Sequence, residues 1–182
     1  MRFKVSSIAA AIAFVGPASA ELPRHPDAPA RESQIGEGAQ SVSIPLNDGT
    51  TLAADLYLPD SAGPHPVILE VTPYGRRSTF SSSGEHGFWT GHGYAFIVVD
   101  ARGTGASGGT HTFMADARRD GPQIVEWAAG QRWSSGKVGM RGSSYSGTYP
   151  LQTAIGRPRG LACIRALCDL IESRGIPKGA GF

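Results

Sequence analysis

Three short and almost continuously apolar runs constrain the fold of this 182-residue chain more than any other feature. They occupy residues 67–71, 94–99 and 138–140. Runs of this length, rich in Val and Ile, are typical of strands that are covered on both faces, as in a parallel sheet. Helical patterns lie between them, a short one over 88–93 and a clearer one over 120–131. Strands that alternate with helices predict an α/β fold with a mostly parallel sheet.

A β-hairpin is predicted ahead of these strands. In residues 41–46 and 51–58, apolar side chains alternate with small or polar ones, which is typical of strands with one buried face. Asn47, Asp48 and Gly49 lie between the two segments and form a common hairpin-turn sequence. We therefore expect an antiparallel hairpin at the leading edge of the sheet.

Two prolines lie within the predicted helices and affect their expected geometry. Pro122 is expected in the first turn of the helix over 120–131, where the missing N–H is tolerated. A further helix is predicted over 145–155. Pro150 lies inside it, and because its ring opposes the carbonyl of Ser146, a kink is expected there.

The first twenty residues have the features of a secretory signal peptide. Arg2 and Lys4 supply a positive start, residues 8–15 form a short apolar run, and Ala18 to Ala20 are small, as a cleavage site requires. A membrane anchor or a buried helix is the alternative, but the run is too short for a bilayer core of roughly 30 Å. We expect cleavage after Ala20 and a secreted or periplasmic protein.

Charge and cysteine content argue against two function classes. The chain has 17 Lys and Arg against 15 Asp and Glu, and removal of residues 1–20 with their two cations leaves 15 against 15. No basic cluster remains that would indicate nucleic-acid binding. Cys163 and Cys168 have no histidine or further cysteine near them, so zinc is not expected, and their spacing suits a disulfide poorly. We interpret both as buried or free thiols.

Residues 137–147 predict a strand, a sharp turn and a helix, with Ser144 at the turn. In a nucleophile elbow, small neighbours let the backbone double back and expose the serine hydroxyl at the end of the strand. The glycines lie at 142 and 147, so the second is one place later than in Gly-x-Ser-x-Gly. An ordinary Gly/Ser-rich loop is the alternative. Ser143 and Ser146 are rival nucleophiles, and only the spacing after the strand favours Ser144.

An acyl-transfer site also needs two donors to the oxyanion. One is the backbone N–H of the residue after the nucleophile, here Tyr145. The other comes from the loop after the strand at 67–71, where Tyr74 is placed to offer its hydroxyl. The alternative for Tyr74 is a surface tyrosine in a turn.

A glycine-rich segment follows the strand at 94–99. Gly103, Gly105 and Gly108 formally match a dinucleotide-binding fingerprint. However, three residues separate the strand from the first glycine, and residues 111–113 do not begin a helix, as that fingerprint requires. We interpret the segment as a structural loop beside the active site.

All the histidines precede Ser144 in the sequence. None has a spacing typical of a metal site, and the sequence shows no cluster of histidines paired with carboxylates. We interpret them as surface or internally satisfied polar residues, and we expect no metal and no organic cofactor. They are His25, His65, His86, His92 and His111.

Four ordered motifs lie over roughly residues 40–160. They are Thr72-Pro73-Tyr74; Gly93-Tyr94 leading into Asp100-x-Arg102-Gly103-x-Gly105-x-Ser107-x-Gly109; residues 124–127 with Gln131-x-Trp133; and Gly136-x-Val138-Gly139-Met140-x-Gly142-x-Ser144-Tyr145-x-Gly147. Together they resemble the X-Pro dipeptidyl-peptidase and cocaine-esterase group of serine hydrolases, which includes the α-amino acid ester hydrolases and acylases. The glycine at 147 is the form that this family has after its serine and tyrosine.

The resemblance implies an α/β-hydrolase fold, of which these residues would form the N-terminal half. It implies that Ser144 attacks the carbonyl of a small acyl ester or peptide, and that the Tyr145 N–H and the Tyr74 hydroxyl hold the oxyanion. It also implies that no cofactor is needed. Members of the family carry a helical cap and a C-terminal jelly-roll domain, which have no counterpart in these residues.

The implied catalytic triad is incomplete in this sequence. α/β-hydrolases supply it in the order serine, acid, histidine. After Ser144 the acids are Asp169 and Glu172, and no histidine follows. Asp169 is too close to the expected start of a cap to be assigned as the triad acid. Because a serine without a base is a poor nucleophile, we expect an inactive chain. We also expect the chain to be truncated, with one edge of the sheet unpaired.

The sequence thus divides into four parts. Residues 1–20 are the predicted signal peptide, 21–40 a flexible arm, 41–166 a partial α/β-hydrolase domain and 167–182 a tail that does not match the family. Two functions stay open: a secreted serine hydrolase represented by its N-terminal part, or a non-catalytic remnant that acts as a binding module. No nucleic acid and, after cleavage, no membrane is expected as a partner.

Overall fold

The computed structural model of the chain describes residues 13–14, 36–78, 81–112 and 114–167. The predicted signal peptide apart from residues 13–14, most of the predicted arm and nearly all of the tail lie outside the described residues. So do Cys168, Asp169 and Glu172.

The described residues form one sheet of seven strands: β1 (Ala13–Phe14), β2 (Gln40–Pro45), β3 (Thr51–Tyr57), β4 (His65–Thr72), β5 (Ala95–Asp100), β6 (Ser134–Ser143) and β7 (Leu161–Leu167). Their order across the sheet is β1-β7-β6-β4-β5-β3-β2. The four central strands β7, β6, β4 and β5 are parallel, whereas β2 and β3 form an antiparallel hairpin that joins β5. The predicted α/β fold, with its mostly parallel sheet and leading hairpin, is confirmed.

The sequence prediction does not include β7. Small and polar residues interrupt its apolar side chains, and its residues are mostly half-buried. β7 pairs in parallel with β6, and the pairing reaches Ser143 opposite Leu167. On its other side β7 pairs with the two residues of β1, the outermost strand of the described sheet.

Three α-helices accompany the described strands: α1 (His86–Gly91), α2 (Met114–Ala129) and α3 (Thr148–Ile155), with 3-10 helices at Ser82–Glu85 and Ser144–Gly147. The predicted start of α2 is wrong, because the helix begins six residues earlier and Pro122 lies in its interior. The Asp116 carboxylate accepts hydrogen bonds from the Thr112 N–H and hydroxyl, 2.6 and 2.7 Å away, and so holds the chain entering the helix.

The kink expected at Pro150 inside a longer helix is not formed. The helix after Ser144 divides into a 3-10 helix and α3, and Pro150 lies in the first turn of α3. A proline there removes no helical hydrogen bond, because the first N–H groups of a helix have no partner within it.

The core covers both faces of the sheet. The larger cluster lies between the central strands and the helices α2 and α3, and the smaller one centres on Phe96 and Val98 with Trp89 of α1 against it. Burial on both faces explains why β4 and β5 are almost continuously apolar. Among the described residues, no helix is long and apolar enough to cross a membrane.

Candidate functional site

Ser144 has the backbone conformation that a nucleophile elbow requires. It follows β6 directly and has a φ of 53°. In the described residues, only Arg157 among the other non-glycine residues has a positive φ. This left-handed conformation costs an L-residue roughly 1–2 kcal/mol, and such strain is found most often at functional sites.

The two rival serines are placed differently. Ser143 is extended, with φ −126° and ψ 149°, as the last residue of β6. Ser146 is only 3% exposed, so its hydroxyl cannot meet a substrate from solvent. Ser144 is exposed at the turn itself. The local geometry thus favours Ser144, as the spacing does.

Both glycines of the motif lie where a side chain would not fit. A Cβ on Gly142 would overlap the Ser146 carbonyl group, and a Cβ on Gly147 would lie 2.7 Å from the carbonyl oxygen of Leu167 in β7. Real Cβ contacts do not reach such distances. The late glycine is therefore required by the neighbouring strand β7, and the small Ser146 occupies the position before it.

Tyr74 and Tyr145 meet beside the elbow. Tyr74 lies on the loop after β4 and is 45% exposed, and its N–H donates to the Thr72 hydroxyl at 3.2 Å. The two rings are 6.5 Å apart between centroids, with an edge-to-face angle of 71°. The structure thus brings the rings of Tyr74 and Tyr145 together, and Tyr145 directly follows Ser144 in the chain.

A histidine that the sequence interpretation set aside also reaches this site. The Tyr145 hydroxyl lies 3.1 Å from His111 Nε2, and His111 Nδ1 lies 3.5 Å from Asp116 Oδ2. The sequence does not indicate that this histidine lies between the Asp116 carboxylate and the Tyr145 hydroxyl. His111 and Asp116 are only five residues apart, but nothing in that spacing shows that both fold back against Tyr145, 34 positions from His111.

The electrostatics around Tyr145 keep its phenol protonated. Burial, followed by the negative charge of Asp116 and the neighbouring Tyr74, raises the pKa of Tyr145 to about 12. At neutral pH the hydroxyl therefore keeps its proton, and it can donate to His111 Nε2 or accept from it according to the tautomer of the ring.

The glycine-rich segment after β5 folds around a carboxylate. Asp100 accepts hydrogen bonds from the N–H groups of Arg76 and Ala106, at 2.6 and 2.9 Å. A Cβ on Gly105, where φ is 53°, would overlap that carboxylate. A phosphate would meet the buried negative charge of Asp100 here. The geometry therefore fits a structural loop better than a nucleotide site.

Two buried ion-pair groups fix the loops around the site, and no local sequence pattern indicates either of them. Asp55 contacts Arg76 and Arg77, 3.0 and 2.5 Å away. Burial of Asp55 alone would raise its pKa, but hydrogen bonds from the two guanidinium groups outweigh that effect and lower it. Arg102 and Asp120 form a two-pronged pair at 2.7 and 2.9 Å. The hydrogen bond to Asp120 raises the pKa of Arg102.

The other histidines that the structure describes lie elsewhere. His86 stacks on Tyr57 with ring centroids 4.3 Å apart, and His92 Nδ1 lies 2.7 Å from the Phe88 carbonyl oxygen. His65 is buried at the start of β4. Within residues 36–78, 81–112 and 114–167 no three histidine, cysteine or acidic side chains cluster as metal ligands would. Cys163 is a free thiol, and burial raises its pKa.

Comparison with known proteins identifies the family of these motifs. The family model described as X-Pro dipeptidyl-peptidase (S15 family) matches residues 48–175, which is more than half of the chain. The cocaine esterase of Rhodococcus sp. (strain MB1 Bresler) is 38% identical over 129 residues, covering 69% of this chain and 22% of the relative. A putative Xaa-Pro dipeptidyl-peptidase of Rhodopirellula baltica is 35% identical over 92 residues, covering 42% of this chain and 15% of the relative.

Solved structures give the same assignment. A CocE/NonD family hydrolase from Staphylococcus aureus superposes with a TM-score of 0.60 at 26% identity, over 66% of this chain and 25% of that one. An α-amino acid ester hydrolase superposes with a TM-score of 0.57 at 26% identity, over 76% of this chain and 27% of that one. The chain spans about a fifth of the length of the first two curated relatives, at 22% and 21%.

Proposed function

Because the chain belongs to the X-Pro dipeptidyl-peptidase (S15) family, we propose that it is the nucleophile-bearing part of a serine hydrolase that acts on small acyl esters or acyl-peptide bonds. The observation that carries the proposal is the conformation of Ser144: an exposed serine with φ 53° between two glycines that tolerate no side chain. The predicted signal peptide supports a secreted or periplasmic location for this activity.

The proposed chemistry begins with attack of the Ser144 hydroxyl oxygen on the acyl carbonyl carbon. A base accepts the hydroxyl proton, and the carbonyl oxygen becomes an oxyanion held by the Tyr145 N–H and the Tyr74 hydroxyl. The tetrahedral intermediate collapses to an acyl-enzyme, and the alcohol or amine leaves with a proton. Water then attacks the acyl-enzyme by the same route, which releases the acid and restores Ser144.

The base of this reaction is the part that these 182 residues do not supply in the usual order. No histidine follows Ser144 in the sequence, whereas α/β-hydrolases place both acid and histidine after the serine. We propose that both come from sequence outside these residues and that the 182-residue chain alone is inactive. Loss of triad members in other serine hydrolases leaves only residual catalysis from the oxyanion hole.

A fusion tests the proposal. Residues 1–167 are joined to the part of the Rhodococcus cocaine esterase that follows its matched segment, and a fluorophosphonate probe is added. We expect labelling, mapped by mass spectrometry to Ser144, and none in the unfused chain. Ser144→Ala should abolish labelling, whereas the matched variants Ser143→Ala and Ser146→Ala should retain it.

Two results would contradict parts of this proposal. If a folded fusion with native-like circular dichroism is not labelled at Ser144, the non-catalytic alternative is the better description. If the unfused chain turns over an ester and Ser144→Ala abolishes the turnover, the proposal that the base lies outside these residues is wrong.

A further inference from the structure

We propose that His111, oriented by Asp116, is a positioning residue of the oxyanion hole: it holds the hydroxyl of Tyr145, and the Tyr145 ring in turn supports Tyr74. The inference rests on the proposed function for its catalytic meaning. The contacts themselves stand without that function, because they join four residues that the structure already places together.

Asp116 provides the fixed end of this chain of contacts. It is fully buried at the start of α2. Its carboxylate accepts hydrogen bonds from the N–H and hydroxyl of Thr112 and from Arg119 Nη2, between 2.6 and 2.7 Å. A carboxylate with three such bonds is held in one orientation. The carboxylate beside His111 is therefore well placed and fixed in orientation.

The Asp116 carboxylate selects the tautomer of His111. Asp116 Oδ2 lies 3.5 Å from His111 Nδ1, which is too long for a good hydrogen bond but close enough for strong attraction to an Nδ1–H group. In the neutral ring the proton is then on Nδ1, and Nε2 carries the lone pair. Nε2 is the nitrogen that faces the Tyr145 hydroxyl, at 3.1 Å. The tautomer that Asp116 favours thus leaves Nε2 able to accept a hydrogen bond from the Tyr145 hydroxyl.

The Tyr145 ring connects His111 to the elbow. Its hydroxyl end is held by His111, and its edge packs on the ring of Tyr74. Its backbone N–H directly follows Ser144, which has the strained φ of 53°. The edge-to-face contact with Tyr145 is one support for the Tyr74 side chain, which is nearly half exposed. His111 is thus linked to both proposed oxyanion donors through the side chain of Tyr145.

His111 is not assigned as the general base of the reaction. A base needs a free lone pair directed at the serine hydroxyl, and the Nε2 lone pair of His111 is used by Tyr145. The His111 ring contacts Tyr145 and Asp116, which agrees with support rather than chemistry.

The contact is tested in the complete 182-residue chain by NMR. Long-range 1H–15N correlation separates the tautomers of the five histidine side chains, and His111 is assigned from the signal that His111→Gln removes. We expect the Nδ1–H tautomer, and a clear shift of its Nε2 resonance in Tyr145→Phe but not in Tyr94→Phe. An Nε2–H tautomer of His111, or an Nε2 chemical shift that Tyr145→Phe leaves unchanged, would overturn the proposal.

The functional part is tested in the fusion described above with two variants of similar size. Gln places a polar atom near the position of Nε2 and can still accept from Tyr145, whereas Asn reaches only the position of Nδ1. We expect His111→Asn to lower kcat about tenfold and to leave KM within about twofold of its original value. This loss is smaller than the roughly 100-fold loss expected when an oxyanion donor itself is removed. His111→Gln should restore most of kcat. Equal loss in both variants, or no loss in either, would refute positioning through Nε2. An inactive parent fusion would count against the proposed function, and the NMR result would still decide whether His111 holds Tyr145.

Discussion

A Cβ on Gly142 would lie 2.8 Å from the backbone nitrogen of Gly147, so the two glycines of the serine motif pack directly against each other across the turn. The close approach follows from the sharp reversal between β6 and the 3-10 helix Ser144–Gly147. The backbone is what meets the Cβ here, and backbone cannot move aside as a flexible side chain could. The spacing of the motif is therefore a packing requirement.

Gly142→Ala should consequently destabilise the protein by about 2 kcal/mol, because overpacking against rigid neighbours costs about 1–3 kcal/mol. Urea denaturation followed by circular dichroism measures the change. Gly130→Ala is the matched control, since its nearest neighbours are 3.4 Å away, an ordinary contact distance. It should leave stability unchanged or slightly raised. Equal midpoints for the two variants would show that the turn is looser than described.

Ser144→Gly should stabilise the protein by about 1 kcal/mol while removing the proposed nucleophile. Glycine adopts the φ of 53° without the steric cost that serine has. Ser143→Gly is the control on the adjacent exposed residue, which has an extended backbone. It should lower stability by roughly 0.5–1 kcal/mol, because glycine there only adds entropy to the unfolded chain. Thermal unfolding of both variants should therefore move in opposite directions, and a shift in the same direction would contradict the strain at Ser144.

Local patterns were sufficient to predict the hairpin and the buried central strands. The alternation along β2 and β3 and the continuous apolar runs in β4 and β5 reflect which faces are covered, and a period of two or an unbroken run records that directly. The position of Ser144 follows from the same information, because a turn between a buried strand and a helix has few other places to lie.

Contacts between distant segments were not predictable in this way. Nothing local in Asp55 shows that two arginines more than twenty positions later neutralise it. The same holds for His111 and Tyr145. The sequence does not predict β7, because its pattern is that of a half-covered strand. It also places the start of α2 too late, because Pro122 suggests a first turn although Asp116 already holds the helix entrance.

Tyr74→Phe should lower kcat of the fusion about 100-fold, the loss expected for one oxyanion donor. The variant keeps the ring and therefore the packing on Tyr145, so KM and thermal stability should change little. Tyr94→Phe is the control, since its ring packs on Trp89 with centroids 5.9 Å apart. Steady-state hydrolysis of a p-nitrophenyl ester measures both. An unchanged kcat in Tyr74→Phe would remove this hydroxyl from the proposed mechanism.

Arg102→Leu should destabilise the chain by about 3 kcal/mol. Arg102 is 5% exposed and Asp120 fully buried, and removal of one partner from a buried pair leaves an incompletely compensated charge. Arg119→Leu is the comparison, because Arg119 also contacts Asp120, at 2.9 Å, but its side chain is half exposed. That variant should cost less than about 1 kcal/mol. Chemical denaturation of the two variants should separate them, and equal costs would show that burial does not decide the strength of these pairs.

Stability should fall with acid through Asp55. Hydrogen bonds from Arg77 and Arg76 overcome the effect of burial and hold the pKa of Asp55 below its ordinary value of 3.8 in the folded chain. Since the folded pKa is the lower one, the stabilisation is complete above about pH 4 and is lost as the pH falls through the folded pKa. Asp55→Asn should therefore cost about 3 kcal/mol at pH 7, as for other broken buried pairs, and should flatten the decline in stability below pH 4. Urea midpoints measured from pH 7 to pH 2.5 test both effects, with Asp60→Asn in an exposed loop as a control that changes stability at pH 7 by less than about 0.5 kcal/mol. An acid limb as steep in Asp55→Asn as in the parent chain would show that other groups control the loss of stability.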